Sequence, residues 1–289
     1  MYGTPGKTNA APVLFSMALA VLAYGAPNSP ADASEALRIA IDSPLRTPRN
    51  VARDAHRHPY ETLMFFGIEP GMTVAEIDPG IGTWYMEILA PFLAQGGVYY
   101  AVGDDPQAGM DAYDRQNYEA FIKNVSDRPA LFSGARITAF APLQKDIAPP
   151  GSVDMVLTFR SLHNWLEDGI AEAAFSAFFK ALKPGGILGV VQHRANDERP
   201  QEPRAPSGYV HERHVIDLAE SAGFRLVARS EINANPQDTK GYPGGVWELP
   251  PTLAVSQTER PARIAIGESD RMTLKFTKPL QGTSDGIIR

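Results

Sequence analysis

An α/β fold, built on a mostly parallel sheet with helices on both faces, is the class this sequence predicts, on three observations. The stretch Val74-Ala75-Glu76-Ile77-Asp78-Pro79-Gly80-Ile81-Gly82, followed by Thr83 to Leu89, reads as strand, tight glycine turn and helix. Ser152 to Phe159 is a near-continuous apolar run, as expected of a strand covered on both faces. Strand-like segments alternate with helical patterns along most of the chain, which indicates βαβ units. Together these give a Rossmann-like sheet.

The elements follow in order. Residues 1–10 are polar with Lys7 as the charged side chain, and Ala11 to Ala26 is apolar. Small residues offer cleavage points after Gly25 or Ala33, so residues 1–33 have the layout of a secretory leader and imply a periplasmic or otherwise exported protein. The apolar run is shorter than the roughly 20 residues a membrane span needs, and no stable span is expected once the leader is removed. Ser34 to Ile41 reads as a short helix with Ser34 as N-cap. Asp42 to Arg57 is basic and polar, and Pro59 suits the first turn of a helix over Tyr60 to Phe66.

Strands are expected at Thr73–Ile77, Val98–Val102, Ala135–Phe140, Ser152–Phe159, Ile187–Gln192, Phe224–Ser230 and Asp270–Phe276. Helices are expected at Asp111–Val125, Ile170–Leu182 and Glu212–Ala222. Ala195 to Gly208, rich in Pro, Arg and Glu, reads as a long loop.

The chain of 289 residues has room for one large domain or two small ones. A formal charge of −6 argues against a nucleic-acid backbone as partner. The lack of cysteine excludes disulfides, thiolate metal sites and a cysteine nucleophile. No spacing of histidines and acids compels a metal site.

The glycine turn is compatible with two nucleotide-binding plans. Set on Gly80 and Gly82, the dinucleotide fingerprint G-x-G-x-x-G would have Tyr85 at its third glycine position. The pattern E/D-x-x-x-G-x-G is met by Glu76, Gly80 and Gly82. Further motifs are T-F-R-x-x-H-N-W at Thr158–Trp165, L-K-P-G-G at Leu182–Gly186, E-I-N-A-N-P-x-D-T-K at Glu231–Lys240 and G-E-S-D-R-M at Gly267–Met272. With these, from about Arg53 to Pro279, the chain resembles the class I S-adenosylmethionine-dependent methyltransferases that carry export signals in bacteria.

That resemblance implies a seven-stranded, mostly parallel sheet whose last strand is antiparallel. It implies S-adenosyl-L-methionine as cofactor, and supplies no acceptor. The family's usual motif has glycine where Asp78 stands. The domain plan expected is a helical cap at residues 34–72 and a methyltransferase domain at 73–289, with an inserted loop at 231–269.

Ligands of open parallel sheets lie beyond the carboxyl ends of the strands, which sorts the polar residues. Glu76, Asp78, Gly80 and Gly82 follow the first strand, and Asp104 and Asp105, after the second, are candidates for ribose hydroxyls. These six form the expected cofactor set. His163 is the expected general base, with Asn164 to orient it and His193 as the second candidate. Arg160, Glu231, Asn233 and Asn235 are expected to meet the substrate, a small molecule or an envelope component, with Glu231–Lys240 either a lid or a rigid loop held by local hydrogen bonds. Asp154, at the start of its strand, reads as structural. Two other functions remain open at this point: a non-catalytic binding protein of the same fold, and a nicotinamide-dependent oxidoreductase.

Overall fold

The computed structural model describes residues 30–107 and 110–280. Most of the expected leader lies outside the described residues; its end, from Pro30, is already helix. In chain order the elements are α1 (Pro30–Ile41), α2 (Pro48–Val51), α3 (Asp54–Arg57), α4 (Pro59–Phe66), β1 (Thr73–Ile77), α5 (Met86–Leu93), β2 (Val98–Asp104), α6 (Ala112–Ser126), α7 (Pro129–Phe132), β3 (Ala135–Phe140), β4 (Val153–Phe159), α8 (Leu162–Glu167), α9 (Ala171–Ala181), β5 (Leu182–His193), α10 (Glu212–Ser221), β6 (Arg225–Ser230), α11 (Arg260–Ile266) and β7 (Arg271–Thr277).

The seven strands make one sheet in the order β3-β2-β1-β4-β5-β7-β6. Pairings from β3 through β5 are parallel, and β7 runs antiparallel between β5 and β6. The expected sheet, including its antiparallel last strand, is therefore present.

Side chains alternate between the two faces with a period of two. Val74, Met155 and Leu157 pack with Leu37 of α1, Leu63 and Phe66 of α4, and Ile88 and Leu89 of α5. Ala75, Ile77, Val156 and Leu188 pack on the other face with Phe175 and Phe178 of α9 and Val215 and Ile216 of α10. The N-terminal helices thus share a core with one face of the sheet.

Helix α1 begins at Pro30, which places the expected N-cap Ser34 inside it, and two other boundaries differ from the sequence reading for local reasons. Helix α5 begins at Met86, three residues beyond the expected Thr83, because Thr83 has φ 47° and cannot continue a right-handed helix. Strand β5 begins at Leu182 because the Lys183–Gly186 turn is absorbed as a bulge: the register on β4 jumps from Val153↔Leu182 to Met155↔Ile187. Asp154 accepts the Thr73 N–H at 2.9 Å and pairs with Lys183 at 2.6 Å, tying β4 to β1 and to that turn.

Candidate functional site

The chain leaves β1 through Asp78 (φ 52°) and Gly80 (φ 65°), both in the left-handed region. That conformation is why glycine is usual at the first of these positions; aspartate is among the few other residues that tolerate it. A Cβ on Gly80 would have only the Asp78 carbonyl oxygen nearby, at 4.0 Å, and one on Gly82 would meet nothing within 4 Å. Side chains fix the loop from behind. Asn50 Nδ2 donates to the Gly82 carbonyl at 2.8 Å, and Asn124 Nδ2 to that of Ile81 at 3.0 Å. Among the described residues, no acceptor in the chain takes the N–H of Gly80, Ile81 or Gly82.

This loop forms one wall of a cleft of about 1000 Å³ at the carboxyl ends of β1, β2 and β3. Pro79, Gly80 and Ile81 line it, with Gly103, Asp104 and Asp105 after β2, Phe140 at the end of β3, and Asn164, Trp165, Glu167 and Asp168 of α8 and its cap. Helix α6 supplies the opposite wall through Asp111, Asp114, Asn117, Tyr118 and Phe121. Asp78, Asp104, Asp105, Asp111, Asp114, Glu167 and Asp168 line the cleft, and no described lysine, arginine or histidine does. Such a lining favours a cationic ligand.

The carboxylates are not equivalent. Burial, then the nearby Asp104 charge, pushes Asp78 up to about 7, although Trp165 Nε1 donates to it at 3.1 Å. Asp104 is exposed and is raised by partial burial and by Asp114. Asp105 is held low by Lys145, 2.6 Å away, and also accepts the Gln107 N–H. Asp104 therefore has its carboxylate available to a ligand, whereas Asp105 is engaged.

Because the folded pKa of Asp78 is raised, the folded state holds a proton that the unfolded chain has lost. Its stabilising effect is complete below the ordinary 3.8 and disappears as pH rises through about 7. Asp78→Asn removes this loss and tolerates the same backbone. The variant should gain stability over the parent, the gain growing by on the order of 2 kcal/mol between about pH 5 and pH 8.5. Urea denaturation at the two pH values checks this; an equal gain at both would trace it to something other than the carboxylate.

Several expected site residues sit outside the cleft. Glu76 is buried on β1, accepts a hydrogen bond from Tyr99 Oη and is pushed by burial up to about 8. His163, in α8 after β4, and His193, the last residue of β5, are buried with their rings 5.6 Å apart. Gln192 Nε2 lies 3.3 Å from His163 Nδ1 and also donates to the Gly208 carbonyl. That makes Nδ1 of His163 an acceptor and places its proton on Nε2. Burial and Arg160 lower His163 to about 4, so it is neutral at pH 7. His193 is held well below its ordinary value, mainly by burial, and its Nδ1 faces Ser269 Oγ.

The Glu231–Lys240 segment is tied down. Glu231 binds Arg194 through both oxygens at 2.7 and 2.8 Å. Asn233 Nδ2 donates to Thr62 and Thr273, both at 3.0 Å, and Asn235 Nδ2 donates to the carbonyls of Ile266 and Glu268. Asp238 accepts from Tyr209 Oη and from the Asp270 N–H. These are the bonds of a rigid loop.

Sequence reading missed the α6 wall. Its signal was present: Asp114, Asn117, Tyr118 and Phe121 recur every three to four residues on the helix that follows the β2 carboxylates.

No protein-family model matches the chain, and no curated protein sequence matches it. Solved structures do. A SAM-dependent methyltransferase from Aquifex aeolicus is similar over 69% of this chain and 93% of its own, at 18% identity and a TM-score of 0.50. The [4+2]-cyclase SpnF is similar over 78% of this chain and 81% of its own, at 16% identity and the same TM-score. At such identities the likeness concerns the fold, and the second neighbour is named for a cyclisation, so the fold leaves the reaction open. The chain has the seven-stranded α/β fold of the class I methyltransferases.

Proposed function

We propose that this chain is an S-adenosyl-L-methionine-dependent methyltransferase acting on a small molecule or an envelope component. The observation that carries the reading is the acidic cleft against the glycine loop. When bound, the cofactor supplies an electrophilic methyl group on a sulfonium. Asp104 is the acceptor for its ribose hydroxyls, and the N–H groups of Gly80, Ile81 and Gly82 are donors for its carboxylate. Asp78, Glu167 and Asp168 balance its positive charge, and Phe140 offers an apolar surface to its base. The chain's part in the reaction is alignment of donor and acceptor.

Calorimetric titration of the purified chain tests this. The expected result is one site for S-adenosylmethionine and S-adenosylhomocysteine and none for NAD. NAD binding would make the chain a nicotinamide enzyme. The second reading, a non-catalytic binding protein, is favoured by the histidines: both ring nitrogens nearest a partner are bonded within the protein, and His163 presents a donor rather than a base. Failure to bind any of the three ligands would select it.

Export is part of the proposal. Cleavage after Gly25 leaves α1 whole, whereas cleavage after Ala33 removes its first turn and the buried Ala33 itself. N-terminal sequencing of protein recovered from the periplasm should begin at Ala26.

A further inference from the structure

We propose that Arg53, Arg57, Arg160 and Arg271 form an oxyanion site on the carboxyl rim of the sheet, and that it holds the acidic group of the acceptor, a small molecule bearing a carboxylate or phosphate. The inference rests on the methyltransferase reading for the word acceptor; the anion site itself does not.

Three segments bring the arginines together. Arg53 and Arg57 flank and end α3, Arg160 follows β4, and Arg271 opens β7 opposite His193, the last residue of β5. One carboxylate serves three of them: Glu268 accepts from Arg53 Nε at 2.7 Å, Arg57 Nε at 3.1 Å and Arg271 Nη1 at 3.0 Å. Arg160 makes no side-chain hydrogen bond among the described residues, yet lies close enough for its charge to act on Arg57, His163 and His193.

Four guanidinium groups against one carboxylate leave an excess of three positive charges in a largely buried cluster. Glu76, whose carboxyl feels Arg160 and Arg57, is held largely protonated by its own burial, and His163 and His193 are neutral. Donors are also left over. Arg53 Nη2, Arg57 Nη2 and Arg271 Nε are buried with no acceptor, on side chains of which Arg57 is 2% and Arg271 3% exposed.

Buried guanidinium groups that share one countercharge and keep unsatisfied donors are unfavourable. An oxyanion supplies further negative charge and acceptors for those donors, in the planar two-oxygen geometry that guanidinium matches. A neutral acceptor would supply neither. Arg53 and Arg160 are partly exposed, so the cluster reaches the surface. The molecule thus separates an acidic cleft, suited to a cationic donor, from a basic cluster suited to an anionic acceptor.

The test is thermal unfolding of the purified chain with inorganic phosphate or malonate, against sodium chloride of equal ionic strength, with and without saturating S-adenosylhomocysteine. Either anion should raise the Tm by about 4 °C at roughly ten times its dissociation constant. The rise should persist with S-adenosylhomocysteine present. It should be lost in Arg160→Gln, which breaks no hydrogen bond, and reduced in Arg53→Gln. No rise beyond chloride, or an undiminished rise in both variants, overturns the site. Displacement of the anion by S-adenosylhomocysteine but not by 5′-methylthioadenosine would assign the arginines to the donor's carboxylate and overturn the acceptor assignment. S-adenosylhomocysteine binding is read in the same experiment, so loss of the methyltransferase reading and loss of the anion site are separate outcomes.

Discussion

Replacing Gly80 by valine should lower the affinity for S-adenosylhomocysteine by at least about 100-fold, some 2.7 kcal/mol. Gly80 lines the acidic cleft and sits at φ 65°. A branched side chain there projects from the loop into open space, where a ligand would lie against the backbone. The left-handed backbone adds about 1–2 kcal/mol of strain for a residue with a Cβ, which moves the loop N–H groups as well. Gly71→Val is the comparison, since Gly71 also faces open space but lies before β1, at the other end of the strand. Calorimetry on both variants, with circular dichroism to confirm the fold, decides the matter. Normal binding by Gly80→Val would mean that the ligand lies elsewhere.

Glu268→Gln should be the most destabilising single substitution on the rim, at about 3–5 kcal/mol, because it removes the one countercharge from four guanidinium groups. For a domain of this size that corresponds to a fall in Tm of roughly 6–20 °C. Burial alone would raise the Glu268 carboxyl, but Arg57, Arg271, Arg53 and Arg160 outweigh it and hold the group well below the ordinary carboxylate range. A depressed folded pKa contributes stability that is present above the unfolded value of about 4.5 and lost as pH falls toward the folded one. The gap between parent and variant should therefore narrow on acidification below about pH 4.5. Chemical denaturation across that range measures it. A gap independent of pH would show that Glu268 acts through shape and not charge.

Much of the sheet was legible in the sequence because its signals are local. Ser152–Phe159 is near-continuously apolar and became β4, buried at every position but Asp154, and the alternation at Asp270–Phe276 became β7 with a shift of one residue. The cleft was half legible. Asp78, Gly80 and Asp104 follow from the position of strand ends, and they line it. The same rule also gathered His163 and His193, because it knows where a strand ends but not which way the next side chain turns. Gln192 and Ser269, which fix those rings, come from β5 and from the stretch before β7. The arginine cluster was the least legible. Arg53 and Arg57 were part of an undifferentiated basic stretch, and the partner that gives them meaning, Glu268, lies 215 and 211 residues away.

That separation, with β7 lodged between β5 and β6, bears on when the molecule can assemble during synthesis. Until Glu268 and Arg271–Thr277 leave the ribosome, β5 lacks its neighbour on the side away from β4, β6 has no strand to join, and Arg57 lacks the Glu268 carboxylate. Closure of the sheet and the rim's one countercharge thus await β7 and the turn just before it.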